Sequence, residues 1–326
     1  MITCYNIENC IDAAVNSVMV QYMPFEWELL IGDDGSNDGT YEKVLLWQEK
    51  HPSKIKVFQM SRNDDKEKTG YRASRNRTNL LKKAKGKYLI FLDGDDMFSD
   101  PYKINTQVNF LKDIKYKDCS CCAHNILVNQ VETNEQFNLE KKIKGNRVLS
   151  FEEYWKDYYF HPNTILFKRE CVSIMLDSLY SDYLNDNFIT YLILQHGNVL
   201  YLDKTMAVYN ITGEGLWTGH KRIYGVFRNL KLYDLELRIN PKKKNISFIR
   251  HISDFNYVFS FYLRDDMDII RPLFECLDQN IFPISSLLLY SHDAKGYDKI
   301  KLFILKIRTR LVLRYCQIKY RINTLK

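Results

Sequence analysis

Along its first hundred residues the chain alternates short apolar runs with segments whose apolar positions recur every three or four residues. Met1-Ile2-Thr3-Cys4 reads as the end of a strand, and Ile11, Val15, Val18 and Tyr22 repeat at helical spacing behind Asn9 as N-cap. Trp27 to Gly32 is a second strand, Thr40 opens a helix to about Lys50, and Lys54 to Phe58 is a third strand. Ala73 to Ala84 predicts a helix stopped by Gly86. Tyr88-Leu89-Ile90-Phe91-Leu92 then forms an apolar run of the kind found in strands covered on both faces. Strand and helix in strict alternation predict an α/β fold with a doubly wound, mostly parallel sheet.

Beyond Tyr102 the pattern loosens. A helix passes through Phe110 and Leu111, Cys119 to Val128 reads as a strand, and shorter elements continue to Leu216. From about His220 the periodicity becomes mostly helical, with 245–262 and 267–277 as candidate helices. The expected organisation is therefore an α/β domain over 1–219, in halves of about 1–110 and 111–219, followed by a helical region over 220–326.

Two of the predicted strands end in acids. Ile31-Gly32 runs into Asp33-Asp34-Gly35-Ser36-Asn37-Asp38-Gly39, and Leu92 runs into Asp93-Gly94-Asp95-Asp96. Open α/β sheets bind ligands outside the carboxyl ends of their strands, so both turns lie on one edge and can face one ligand. Asp93 and Asp95, one residue apart, can approach a single hard divalent cation such as Mg²⁺ or Mn²⁺, which in turn would hold a diphosphate. An acidic turn that merely ends a strand has the same pattern, and periodicity does not separate the two.

Charge narrows the class of partner. The net charge is +7, but residues 295–326 hold ten Lys or Arg against Asp298 and carry +9, leaving −2 for the other 294 residues. The body of the protein is thus not a basic nucleic-acid-binding surface. No apolar run reaches the roughly 18–20 residues that cross a bilayer. In the tail, Ile300, Ile304, Ile307, Leu311, Tyr315, Ile318, Ile322 and Leu325 share one helical stripe flanked by Lys299, Lys306, Arg310 and Arg321 on one side. Lys301, Arg308 and Lys319 flank it on the other. This pattern suits an amphipathic helix lying on an anionic membrane, and equally a helix packed on the protein or in a dimer. Leu302, Leu305 and Leu313 on the far side blur the membrane pattern. The eight cysteines include Cys119, Cys121 and Cys122 within an apolar strand, no CxxC pair recurs at zinc-like spacing, and no signal peptide precedes them. They read as reduced packing residues of a cytoplasmic protein.

The order of motifs is more specific than any one of them. Tyr5-Asn6, Asp33-Asp34-Gly35-Ser36 with Asp38-Gly39-Thr40, and Gly86-Lys87-Tyr88 leading to Leu92-Asp93-Gly94-Asp95-Asp96 resemble the GT-A-fold family 2 inverting glycosyltransferases. Phe160-His161-Pro162-Asn163-Thr164-Ile165-Leu166-Phe167 resembles the acceptor-side segment of bacterial members. Asn185-Asp186-Asn187-Phe188, Gly197-Asn198-Val199, Met206-Ala207-Val208-Tyr209 and Gly215-Leu216-Trp217 resemble the region of their catalytic base. The resemblance covers about residues 1–219. It implies that Thr3 and Tyr5 contact the nucleobase, Tyr5 by stacking, that Asp34 accepts from a uracil imide, and that Arg72 reaches the nucleotide. It further implies Asp93 at the ribose, Asp95 on a Mn²⁺ or Mg²⁺ ion, Asp96 in support of the loop, and Asp186 as general base. Asp182 rivals Asp186, Arg75 and Arg77 rival Arg72, and His124 and His161 read as structural or acceptor-side residues.

The implied activity is transfer from a nucleotide sugar, expected to be a UDP-sugar, to a glycan or lipid-linked acceptor. The setting is synthesis of bacterial surface polysaccharide or lipooligosaccharide at the inner face of the cytoplasmic membrane. Inversion needs a base on one face of the sugar and a departing nucleoside diphosphate on the other, so the two groups are expected from distant parts of the chain. Two departures stand out. Only about four residues precede Tyr5-Asn6, so that either the start lies further upstream or strand one is shortened, and Asn210 and Thr212 stand where relatives often carry Arg and His. His220 is a weak replacement for that His. An inactive GT-A-fold nucleotide-binding scaffold is the alternative. A nucleotidyltransferase would show a glycine-rich phosphate loop, and Asn6 to Cys10 contains no glycine.

Overall fold

The computed structural model describes residues 1–62, 69–140, 143–211, 222–243, 246–247 and 250–251. Two compact units are present: Met1–Tyr154 with Tyr158–Gly219, and Trp155–Asp157 with His220–Lys326. The basic tail, residues 267–277, most of 245–262, Thr212, Gly215-Leu216-Trp217 and His220 lie outside the described residues. No described helix is long and apolar enough to cross a membrane.

The first unit opens with β1 (Ile2–Cys4), α1 (Ile11–Met19), β2 (Leu29–Asp33), α2 (Thr40–Lys50), β3 (Ile55–Gln59) and α3 (Thr69–Lys83). Then come β4 (Tyr88–Ile90), β5 (Leu92–Asp93), β6 (Met97–Phe98) and α4 (Lys103–Lys112). β7 (Cys119–Gln130), β8 (Glu135–Asn138), β9 (Arg147–Leu149) and α5 (Phe151–Asp157) follow. The unit ends with β10 (Leu166–Lys168), α6 (Val172–Met175), α7 (Asp186–Ile193) and β11 (Asn198–Ile211).

β1, β2, β3 and β5 make a fully parallel sheet in the order β3-β2-β1-β5. The chain therefore builds outward from β1 through β2 to β3 and then returns to add β5 on the other flank. The reversal between β1 and β5 is the topological switch point, where a crevice opens at the strand ends. Apolar faces explain the layering. Ile11, Ala14 and Val15 of α1 and Val44 of α2 are fully buried in one core with Ile2, Leu29, Ile31 and Ile55 of the sheet. A second, mixed sheet runs β4-β10-β7-β11-β6, with β8 on β7 and β9 on β11.

Three local readings differ from expectation. The apolar run Tyr88–Leu92 is one segment but not one strand: Tyr88–Ile90 pairs with β10 in the second sheet, while Leu92–Asp93 pairs with β1 in the first. The change occurs at Phe91, whose buried ring stacks on Phe167 at 6.0 Å, as expected where a strand crosses between sheets by a bend. α1 begins after Cys10 rather than after Asn9, with no side chain capping it, and Tyr22 lies beyond its end and is exposed. Gly86 is not in the left-handed conformation of a helix-ending glycine, since the positive-φ glycines among the described residues are Gly35 and Gly145. Six cysteines, Cys4, Cys10, Cys119, Cys121, Cys122 and Cys171, are free thiols, and burial pushes those of Cys119 and Cys171 up to about 11 and about 12.

In the second unit α8 (Arg222–Ile239) is an eighteen-residue helix. Its buried Asp234 meets Lys231 at 3.1 Å and Arg238 at 3.4 Å, and its buried Glu236 meets His251 at 2.9 Å.

Candidate active site

β1 carries Thr3 between the two acidic turns. Cys4 is in register with Asp33 on β2, and Thr3 is in register with Asp93 on β5. Both turns thus leave the same sheet edge, one on each side of β1. Each acid's surroundings then decide what it can do.

Asp33 is fully buried and organises its own turn. Its carboxylate accepts from the amides of Gly35 at 3.1 Å and Ser36 at 3.0 Å, and from the Ser36 hydroxyl. Gly35 sits at φ 71°, and a Cβ there would lie 2.8 Å from the Met60 carbonyl oxygen, so this turn needs glycine twice over. Asp34 is also buried, with Arg62 Nη2 3.0 Å from Oδ2 and Arg72 Nη2 2.9 Å from Oδ1. Arg62 also donates to the Asp34 carbonyl at 2.6 Å and Arg72 to the Ser61 carbonyl at 3.2 Å. The Arg62 guanidinium lies 3.4 Å above the Tyr5 ring. Tyr5, Asp34 and Arg72 are therefore together, as the motif order implies, and Arg62 joins them.

The second turn is less well served. The loop Gly94–Asp96 carries the chain from β5 in the first sheet to β6 in the second. Thr3 Oγ1 donates to Asp93 Oδ1 at 2.9 Å, and Arg77 Nη2 donates to both Asp93 oxygens at 3.1 and 3.4 Å. Burial opposes ionisation of Asp93, but the Arg77 charge outweighs it and holds the carboxyl below its ordinary range. Burial, then the Asp93 charge, push the Asp95 carboxyl up to about 6. A hydrogen bond from its own backbone amide opposes that rise.

Asp96 is almost completely buried. It accepts from Asn163 Nδ2 at 3.0 Å and from the Asn210 amide at 3.0 Å, yet burial and the charges of Asp95 and Asp93 push it well above the carboxylate range. Asn210 also donates its side-chain amide to the Asp95 carbonyl at 2.7 Å and accepts from Asn129 at 2.9 Å. The asparagine that replaces an expected arginine thus buttresses the acidic loop.

His161 comes from the second sheet's side of the crevice. It is buried, stacks on Tyr209 with ring centroids 4.4 Å apart, and has Nδ1 3.9 Å from Asp96 Oδ2, with no hydrogen bond to that nitrogen among the described residues. Asp93, Asp96 and His161 each present a ligand atom, and these lie within 4.8 Å of one another. Asp95 is not part of that trio. An orphaned buried imidazole nitrogen among carboxylates fits a divalent transition ion such as Mn²⁺ better than Mg²⁺, which prefers oxygen and retained water.

Asp186 lies in the first turn of α7, which Asn185 caps by accepting from the Phe188 amide at 2.9 Å. Arg77 Nη1 is 3.2 Å from Asp186 Oδ1, so one guanidinium joins Asp186 to Asp93. The rival Asp182 pairs instead with Arg75 at 3.3 Å on a largely open surface. Asp186 is the carboxylate on the crevice side.

Sequence reasoning gave Arg62 and Asn163 no role of their own, weighed Arg77 only as a rival of Arg72, and read His161 as structural or acceptor-side. Arg77 shared a segment with two other arginines, and nothing in its spacing distinguished it. His161 and Asn163 stood in a noted motif, but the approach of that motif to Asp96 is a tertiary fact.

The family described as Glycosyl transferase family 2 matches residues 1–173, more than half of the chain. The chain belongs to that family. Relatives include an uncharacterized protein of Mycobacterium tuberculosis, 26% identical over 216 residues, 65% of this chain and 58% of that protein. The match to the mycobacterial relatives thus spans under two thirds of their length. The putative teichuronic acid biosynthesis glycosyltransferase TuaG of Bacillus subtilis is 26% identical over 240 residues, 70% of this chain and 85% of that one. Among solved structures, S. aureus TarS 1–349 in complex with UDP-GlcNAc aligns with a TM-score of 0.61 at 16% identity, covering 89% and 85% of the two chains. Pyrobaculum calidifontis mannosyltransferase PcManGT, in complex with GDP-Man and Mn²⁺, aligns with 0.52 at 14% identity, covering 99% and 85%. At such identities the likeness speaks for the GT-A fold.

Proposed function

We propose that this family 2 chain transfers a sugar, with inversion at the anomeric carbon, from a UDP-sugar to a glycan or lipid-linked acceptor of a bacterial surface polysaccharide. The observation that carries this reading is the meeting of Asp186 with Asp93 across Arg77 at the sheet's switch point. A carboxylate from a distant part of the chain there faces the edge where the nucleotide-side acids converge.

In this reading Asp93 addresses the ribose, and Thr3, Tyr5, Asp34 and Arg72 serve the nucleotide's base end. Asp186 takes the proton from the acceptor hydroxyl as its oxygen attacks the anomeric carbon, and the nucleoside diphosphate leaves from the opposite face. Proton transfer to such a base contributes about 10²–10⁴-fold. Asp95 and the trio of Asp93, Asp96 and His161 would hold a divalent cation, Mn²⁺ or Mg²⁺. When bound, that cation supplies charge neutralisation for the departing diphosphate. The crystal complexes of TarS with UDP and with UDP-GlcNAc support a uridine donor. The names of TuaG, of WfgD, an Escherichia coli UDP-Glc:alpha-D-GlcNAc-diphosphoundecaprenol beta-1,3-glucosyltransferase, and of GgaA, a Bacillus subtilis minor teichoic acid biosynthesis protein, support a surface glycan. A lipid-linked acceptor in turn favours peripheral contact of residues 295–326 with the cytoplasmic membrane.

A second reading, a nucleotide-binding scaffold without turnover, draws on Arg62, whose guanidinium covers the Tyr5 face on which a base would stack. A donor screen by nucleotide release, with purified full chain and Mn²⁺, separates the two. The transferase reading expects turnover with a UDP-sugar that falls about 10²–10⁴-fold in Asp186→Ala. Unchanged activity in that variant removes Asp186 as base, and UDP binding without turnover of any donor selects the scaffold.

A further inference from the structure

Arg77 has no counterpart among the roles assigned so far. It stands on α3, is buried, and divides its guanidinium between two elements that the chain brings together from far apart. Nη2 reaches both oxygens of Asp93, at 3.1 and 3.4 Å. Nη1 lies 3.2 Å from Asp186 Oδ1 and donates to the Leu184 carbonyl at 3.0 Å. It therefore grips the Asp186 side chain and also the backbone that leads into α7.

We infer that Arg77 is a positioning residue, whose fork holds the Asp186 carboxylate in a fixed place relative to the Asp93 edge where the donor sits. The inference rests on the proposed role of Asp186 and adds the device that aims it. Three considerations carry it. First, the geometry uses what distinguishes arginine from lysine: a rigid planar fork can hold two carboxylates and a carbonyl at once, whereas an ammonium is a point charge. Second, both Nη groups are already engaged by protein acceptors. Arg77 is therefore not turned toward a diphosphate, and the donor left over among the described residues is Nε. Third, the guanidinium stands between two carboxylates of like charge, and its charge offsets the repulsion that would push them apart. Leu184 is itself fully buried and Asn185 caps α7, so the grip is transmitted to the whole first turn that carries Asp186.

The test uses the full chain with Mn²⁺ and the best donor of the screen, comparing Arg77→Lys, Arg77→Gln and Asp186→Asn with the parent, each checked for cooperative melting. Arg77→Lys retains a charge in the site and guards against loss of fold. Misplacing a reacting group by about 1 Å costs on the order of 10²-fold. The expected result is therefore a kcat about 10–100-fold lower in Arg77→Lys with donor KM within about 3-fold of the parent. In Arg77→Gln, which lacks both the charge and the fork, kcat should fall at least as far as in Arg77→Lys, again with donor KM within about 3-fold of the parent.

A merely structural arginine would lower the melting temperature without splitting kcat from KM. The inference is overturned if both Arg77 variants keep kcat within about 3-fold while Asp186→Asn is inactive, an outcome that leaves the proposed function standing. It is also overturned if a rise in donor KM accounts for the whole loss, since Arg77 would then act on the donor. Full turnover in Asp186→Asn removes the base assignment and this inference with it.

Discussion

Two acidic turns leave the same sheet edge on either side of β1, and they are built to opposite specifications. At the β2 turn every charge is answered. Asp33 is saturated by backbone and hydroxyl donors, and Asp34 lies between two guanidiniums. At the β5 turn three carboxylates crowd into a half-buried loop with, among the described residues, one arginine, Arg77, on Asp93. The Asp95 carboxyl is pushed up to about 6, and that of Asp96 well above its ordinary range. The same residue type therefore serves two ends. One turn is stable as it stands. The other is short of positive charge, which is the electrostatic condition under which a cation or a proton binds.

That contrast can be broken experimentally, and the largest effect is expected at the deficient turn. Asp95→Ala should lower metal-dependent turnover by about 10²–10³-fold, since neutralising a leaving diphosphate is worth several kcal/mol. Undiminished Mn²⁺-dependent nucleotide release in that variant would sink the site assignment. At the saturated turn the damage should appear in folding instead. Asp33→Ala strands the Gly35 and Ser36 amides and the Ser36 hydroxyl, at about 1–3 kcal/mol for each buried donor that water does not reach, so a loss of about 2–4 kcal/mol is expected from urea unfolding. A loss under 1 kcal/mol would show that the turn does not depend on its acid.

A smaller effect has the opposite sign. The folded-state pKa of Asp95 is raised, so folding favours its protonated form, and the penalty builds as pH rises from about 4 to about 6 and is full above that. In EDTA, Asp95→Asn should therefore be more stable than the parent at pH 8 by about 1–3 kcal/mol, with the advantage gone near pH 4. Equal melting temperatures at both pH values would contradict a charge deficit. The smallest effect concerns Arg62, whose pair with Asp34 is partly open to solvent. Removing a partly exposed pair changes the balance by about 0.2–1 kcal/mol, so Arg62→Ala should tighten UDP binding by about 1.4–5-fold if the guanidinium competes with the base for Tyr5. Weaker binding by calorimetry would mean that Arg62 moves to help hold the nucleotide.

Much of this molecule was legible before any coordinates. The alternation of apolar runs placed the parallel sheet, and the glycines and acids after Ile31 and Leu92 marked the strand ends where ligands bind. The pairing of charges was not legible. Arg72, Arg75 and Arg77 lie within one helix, yet they reach Asp34, Asp182 and the Asp93–Asp186 pair respectively, because helix rotation sends neighbouring residues in different directions. The run Tyr88–Leu92 read as one buried strand because periodicity reports burial and not partners, and it cannot show a change of sheet. His161 and Asn163 approach Asp96 only through the pairing of β10 with β4 and β7, which no local pattern encodes.

The bend at Phe91 has a consequence for how such a molecule diversifies. A single short segment is stitched into both sheets, and its ring sits on Phe167 of one and 6.0 Å from the Arg77 guanidinium that serves the other. The two sheets therefore share a pivot rather than a linker. Loops and edges of the second sheet can be rebuilt around new acceptors while the pivot keeps the strand ends of the first in register. Substitutions at Phe91 itself would disturb both halves together.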